Sequence, residues 1–284
     1  AQATDNVPQQ TSFISIFQLD FMRRALWVGL VISGVCAYLG VYVVLRRVVF
    51  VGVALSQMSS AGVALSLLTA LSPMVGSVLT MLIGVALLSV RWGGRRIRQD
   101  AFIGIGYAVA AAAAVLMVAK SPKGEGDLLQ LLFGNIMTVL PGEATTTALA
   151  LAGVLIFHLL FFKELLYVSF DPDTAAASGY SSRLWELLLY VTIGLTIAFA
   201  IHAVGVLLPF AALVLPAVTS LLLTRRMWSA LLVSVVVGMI PVPIGLYLSF
   251  THDLPSSETV VAVSFLLLVI AAIYTWIKNR FAES

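Results

Sequence analysis

Charge is what this sequence has least of. Asp, Glu, Lys and Arg together supply 10% of its 284 residues, while apolar types supply 61%. A soluble domain carries about a quarter charged residues, so a disordered chain, a coiled coil and an ordinary water-soluble enzyme are all excluded. Cysteine occurs once, at Cys36, which excludes a disulfide framework and any cysteine-based zinc or iron–sulfur site. The histidines are His158, His202 and His252, and no H-x-x-x-H or H-E-x-x-H pair is formed. A G-x-x-x-x-G-K-[ST] stretch is absent, so the chain cannot cradle ATP phosphates in the P-loop manner. The G-x-S-x-G elbow is missing too, and the acids Glu164 and Glu186 fall at the ends of apolar runs rather than inside them. That leaves an intramembrane hydrolase without a catalytic set and a proton-relay carrier without its buried acids. ATP-driven work by this chain would need a partner.

What the sequence has is long apolar runs. About 20 apolar residues in a helix cross the roughly 30 Å of a bilayer's hydrocarbon. Nine runs qualify as candidates: 25–45, 48–71, 74–90, 101–119, 144–162, 184–201, 206–224, 228–250 and 259–277. They are continuously apolar, whereas membrane strands alternate with period two, so the expected fold is an all-α, polytopic transmembrane helical bundle. Pro209 and Pro216 are expected to kink or break the seventh run, since each removes a backbone donor.

The net charge of +3 forms no basic face; the cations flank the runs. With nine spans and the N-terminus outside, Arg46, Arg47, Arg91, Arg95, Arg96, Arg98, Lys163, Arg183, Arg225, Arg226, Lys278 and Arg280 fall inside. Arg23, Arg24, Lys120 and Lys123 fall outside. Twelve against four obeys the positive-inside rule. Making 127–140 a tenth span would turn this into six inside and ten outside, so that segment is expected as a short helix or re-entrant piece on the outer face. Residues 1–20 form a polar extracytoplasmic segment, and the Ala1 start fits either methionine removal or a cleaved leader. Residues 21–284 form one transmembrane domain with an inner loop at 163–183.

That inner loop reads FKELLYVSFDPDTAAASGYSSR. Asp171 is a good N-cap, Pro172 suits the first helical position and Asp173 complements the positive helix end. Gly179 can supply a left-handed stop. A short capped helix on the inner face follows, either a plain turn in a loop or a protrusion that receives force from a cytoplasmic motor. In the second run, Gly52, Ser56, Ser59 or Ser60, and Val63 recur at helical spacing, which favours close packing and hydrogen bonds across helices. Gln57 is its one large polar side chain, suited equally to lining a pathway or to joining two helices. His202 lies at an outer turn, where it can sit among headgroups or touch a permeating cation. His252 and Asp253 are adjacent in an outer loop, solvated or in transient cation contact. His158 reads as structural.

Four stretches in order carry a resemblance: LRRVVFVGVALSQMSSAGVAL; LLQLLFGNIMTVLPGE; DPDTAAASGY followed by VGVLLPFAALVLPAVTS; and DLPSSETVV. The chain resembles the integral permeases of bacterial ABC importers for zinc, manganese and iron, over roughly residues 25–277. The resemblance implies a homodimer in the bacterial inner membrane, in contact with lipid. It also implies two cytoplasmic ABC ATPase subunits, which hold the ATP and Mg, and an extracytoplasmic solute-binding protein. It assigns Asp171, Pro172, Asp173, Ala175 and Gly179 to docking on the ATPase. It places the positions of Val53 and Gln57 in the pathway; with Ser60 and His202 these are the candidates for lining it, and His202, His252 and Asp253 are the weak metal candidates.

The sequence also departs from that family. Its members typically carry Asp and, four residues on, His early in the second span; here those positions hold Val53 and Gln57. Valine cannot ligate a cation, and an amide oxygen is a poor ligand for zinc. Asn135 stands where an acid is common, and Ser257 near a usual glycine. Three readings follow: a metal crossing with few side-chain ligands, a chelated or non-metal cargo, or a non-transporting membrane subunit.

Overall fold

The computed structural model describes residues 16–69, 71–90, 99–121 and 136–282. Arg91, Arg95, Arg96, Arg98, Lys123, Asn135, most of the 127–140 segment and residues 1–15 of the polar N-terminal segment lie outside them. Among the described residues there is no strand, as expected for a chain whose backbone groups must pair within each segment in lipid. The helices are α1 (Asp20–Leu45), α2 (Val49–Leu68), α3 (Pro73–Ser89), α4 (Gln99–Ala119), α5 (Pro141–Leu160), α6 (Phe162–Phe170), α7 (Pro172–Ala177), α8 (Ser182–Val204), α9 (Leu207–Leu223), α10 (Met227–Met239), α11 (Pro241–His252) and α12 (Ser256–Ala282). Ile136–Thr138 makes one 3₁₀ turn.

Among the described residues, seven segments are long and apolar enough to cross a membrane: α1, α2, α4, α5, α8, α10 with α11, and α12. Helices α3 and α9 are apolar but shorter, 17 residues each. The run 228–250 is one span-length segment, as expected, and is interrupted by a turn at Ile240 where two helices meet. Pro241 and Pro243 cannot donate to the helical ladder, and an apolar run conceals that loss. The prolines of 206–224 do not break the helix. Helix α9 continues through both, Pro209 because it sits in the first turn, where amides have no helical partner anyway. Pro216 lies in the helix interior, buried against the neighbourhood of Gly238.

Helix α1 is the axis of the bundle. Of its most apolar stretch 72% is buried, against 17% for α12 and 22% for α4 and α5. It packs on α9 and α10, while α2 is gripped by α3, α4 and α8. Lipid tails are as apolar as leucine, so helices associate by close packing rather than by escape from water. Small residues occupy the contact points accordingly. A Cβ on Gly40 would collide with the Leu213 carbonyl of α9, and one on Gly62 with the Gly76 carbonyl of α3. Ser234 Oγ donates to the Ala37 carbonyl at 2.7 Å, joining α10 to α1. Within α2 the serines act locally: Ser56 Oγ donates to Val53 O at 2.7 Å and Ser66 Oγ to Val63 O at 2.6 Å. The bonds expected from Ser56 across helices are made elsewhere in the bundle.

Gly62→Leu is expected to destabilise the detergent-purified protein by about 3 kcal/mol through overpacking. Gly153→Ala, where a Cβ meets open space, is expected to stay within about 0.5 kcal/mol. Equal melting temperatures for the two variants would contradict this account of the α2–α3 crossing.

Candidate functional site

The inner loop folds into two helices rather than one. Phe162, Leu165 and Val168 fall on one side of α6 and are buried, and Phe162 stacks on Trp228 at the start of α10, centroids 4.3 Å apart. Helix α7 follows at once. Asp171 Oδ1 accepts from the Thr174 amide at 3.0 Å, which makes it the N-cap the sequence indicates, and Pro172 opens the helix. The side chains of Pro172 and Asp173 are outside the described set. At the other end the Gly179 amide donates to Ala176 O at 3.1 Å and the Tyr180 amide to Ala175 O at 3.0 Å. This is a Schellman closure, and Gly179 holds the φ of +89° that it needs. Tyr167 clamps the stop, with its hydroxyl 3.2 Å from Ser178 Oγ and its ring edge-on to Tyr180.

Ala175 is fully buried against the body of the protein. Thr174, Ala176, Ala177, Ser178 and Gly179 are exposed, and the exposed rings of Phe170 and Tyr180 flank them. A six-residue helix closed at both ends thus presents a small, rigid knob between two aromatic side chains.

The pathway candidates do not form one cluster. Val53 and Gln57 are half-buried one turn apart on α2, and Ser60 is fully buried with no partner for its hydroxyl among the described residues. Leu55 of α2 lies level with Gly194 of α8. His202 is eight residues further along α8, about 12 Å by helical rise, and half-buried. His252 and Asp253 are exposed, with Asp253 in the left-handed C-cap position of α11 (φ 51°). Among the described residues no group of three His, Cys, Asp or Glu could hold a metal ion.

Two polar features escaped sequence reasoning. Ser257 Oγ donates to Val204 O at 2.9 Å, satisfying the open end of α8 from the start of α12. Next to it, both carboxylate oxygens of Glu258 are inaccessible and lack a hydrogen-bond partner among the described residues. The Ser257 bond puts Glu258 at the same end of the bundle as His202. No spacing in the sequence signals this, because the contact joins residues 53 apart in the chain.

The model of the ABC 3 transport family matches residues 18–275. The chain belongs to the ABC 3 transport family. The manganese transport system membrane protein MntC of Halalkalibacterium halodurans is 28% identical over 264 residues, covering 93% of this chain and 90% of that protein. A Haemophilus influenzae protein described as a probable iron transport system membrane protein is 26% identical over 261 residues, 91% of this chain and 92% of its own. Among solved structures, PsaBC from Streptococcus pneumoniae in complex with Fab superposes with a TM-score of 0.83 at 28% identity, over 91% of this chain and 94% of that one. As a family member the chain is a membrane permease subunit and not an enzyme.

His158 is a core residue of this permease, as its sequence context indicates. It is fully buried, edge-on to Tyr38, Tyr42 and Phe157. Its Nε2 lies 2.9 Å from Thr192 Oγ1. The Thr192 hydroxyl hydrogen already goes to Leu189 O at 2.9 Å, so Nε2 carries the hydrogen and donates. Thr192→Val strands that donor, and is expected to cost about 1–3 kcal/mol. An unchanged melting temperature would show that the α5–α8 bond contributes nothing.

Proposed function

We propose that this chain is the permease of an ATP-driven importer for a divalent metal ion: manganese, iron or zinc. It would act as a homodimer, spanning the bacterial inner membrane nine times per protomer with its N-terminus outside. The carrying observation is α7, a helix capped at both ends and projecting beside exposed aromatics, in a chain without a phosphate-binding loop of its own. Aromatic anchors around a small rigid projection suit a docked partner. The reading assigns ATP and Mg to separate ATPase subunits, and cargo selection to an extracytoplasmic binding protein. The names of the manganese and iron relatives support the cargo class. The count of basic residues supports the orientation.

In this reading ATP binding closes the motor subunits beneath α7. Their movement passes through α6 and α8, and the path opens toward the binding protein. Cargo passes Val53 and Gln57 on α2, with His202 and Glu258 near the outer mouth. Asp171→Ala removes a cap that contributes about 1 kcal/mol. It is expected to lower uptake of labelled manganese about fivefold while the ATPase still hydrolyses ATP. Uptake that survives deletion of the ATPase would overturn the coupling.

Val53 and Gln57 support a second reading, in which the cargo is a chelate or a non-metal solute, since neither side chain is a good cation ligand. The double substitution Val53→Asp, Gln57→His separates the two. If the metal passes this point, binding of manganese to the purified permease should tighten by about tenfold or more. Unchanged binding would remove these two positions from the metal's path.

A further inference from the structure

A cavity of about 260 Å³ lies between α1 and α5. The two helices run parallel there. Val28 and Val31 of α1 line it with Ala144 and Thr147 of α5, and further along Tyr38 and Tyr42 meet His158. From Arg24 to Val31 the groove follows α1 for seven residues, about 10 Å. Its walls are almost wholly apolar carbon, and its mouth is not.

Arg23 and Arg24 both line the mouth, where the apolar run of α1 begins. Arg23 is exposed and bonded to Asp20 at 2.8 Å, so its charge is already answered. The Arg24 Nε is inaccessible to water and has no hydrogen-bond partner among the described residues. Nothing can reach that Nε, so a ligand at the mouth meets the terminal nitrogens of the same guanidinium, which make no hydrogen bond or ion pair among the described residues. The nearby acid of α5, Glu143, is turned back on its own helix end, where it accepts from the Leu140 amide at 3.2 Å. The N-termini of α1 and α5 come to the same end of the groove, and both helix dipoles favour an anion there. Trp27 stands one turn deeper, lines the same groove and is 64% exposed, as an aromatic side chain at a membrane–water boundary is. Positive charge is also scarce on this side: Arg23 and Arg24 are two of only four basic residues that the proposed orientation leaves outside.

We propose that this groove binds one anionic phospholipid of the outer leaflet, with its phosphate on Arg24 and the upper part of one acyl chain lying between α1 and α5. A free anion leaves the apolar walls uncovered, and a zwitterionic lipid brings its phosphate together with a cation that offsets it beside Arg23 and Arg24; an anionic lipid supplies both an acyl chain and a net negative charge. A guanidinium suits this role because its planar fork can bond two phosphate oxygens at once. The leaflet rests on the orientation proposed above; the site itself depends only on the chain lying in a bilayer.

The test uses the full-length permease, purified in mild detergent and titrated with phosphatidylglycerol or phosphatidylcholine. Native mass spectrometry counts bound lipid and melting temperature reports stabilisation. Wild type should retain phosphatidylglycerol in preference to phosphatidylcholine. Arg24→Gln should weaken that retention about tenfold. Ala148→Phe, which fills the groove from the half-buried wall of α5, should abolish it, whereas Lys120→Gln should leave it unchanged. Both variants must elute and melt as folded protein, and Arg24→Gln, at the groove mouth, carries the test if Ala148→Phe does not fold. Equal retention of the two lipids, or retention that Arg24→Gln does not reduce, overturns the proposal. So does stabilisation by inorganic phosphate as large as that by phosphatidylglycerol, which would mean an anion site without a chain groove. None of these readouts involves transport, so a failed importer assignment and a failed lipid site are told apart.

Discussion

The bundle depends on how closely helix backbones can approach one another where no water drives them together. Gly40 against the Leu213 carbonyl and Gly62 against Gly76 are such approaches. Each holds two axes at a separation that any side chain would enlarge. In lipid this packing, with a few hydrogen bonds, is what distinguishes one arrangement of apolar helices from another. Ser234 to Ala37, Ser257 to Val204 and His158 to Thr192 are among the bonds that join helices, with Thr147 to Phe199 a longer one between α5 and α8. They lock α1 to α10, α8 to α12 and α5 to α8. The position of Val53 and Gln57 along α2, and of α7 beneath α8, follows from these contacts rather than from local sequence.

The runs of apolar residues were legible because the length needed to cross hydrocarbon is fixed by helical rise. Hydropathy is blind to an interruption inside a span. At Met239–Ile240–Pro241–Val242–Pro243 every residue is apolar, yet two lack an amide hydrogen, and a turn at Ile240 divides a segment that still reads as one span. At Pro209 the same chemistry has no such effect, because a first-turn amide has no partner to lose. Helix α6 was missed for a different reason: nine residues are too few to stand out, and its buried face of Phe162, Leu165 and Val168 becomes visible only once Trp228 is there to receive it.

The caps of the knob could be read, since caps are local: Asp171 and Gly179 each act within four residues of their own position. The pathway could not. Ser60 and Gln57 are three positions apart on α2, yet one is sealed and the other half-open, because neighbouring helices decide the difference. The sheltered carboxylate of half-buried Glu258 and the groove at Arg24 are likewise products of contact between distant segments.

The interruption at Ile240 divides a 26-residue span nearly in half. Because Pro241 and Pro243 offer no hydrogen, the carbonyls of Val237 and Met239 have no i+4 amide to bond. Two rungs of the ladder are already gone at mid-depth. The backbone of Ile240 nevertheless keeps right-handed helical angles (φ −58°, ψ −42°). Swivelling α11 against α10 therefore sacrifices fewer bonds than bending an intact helix would. The two flanking contacts, Gly238 on Ala37 and Gly245 on Val260, tie one half to the bundle's axis and the other to its outermost helix. A shift between axis and rim would be absorbed at this joint, leaving the spans on either side straight.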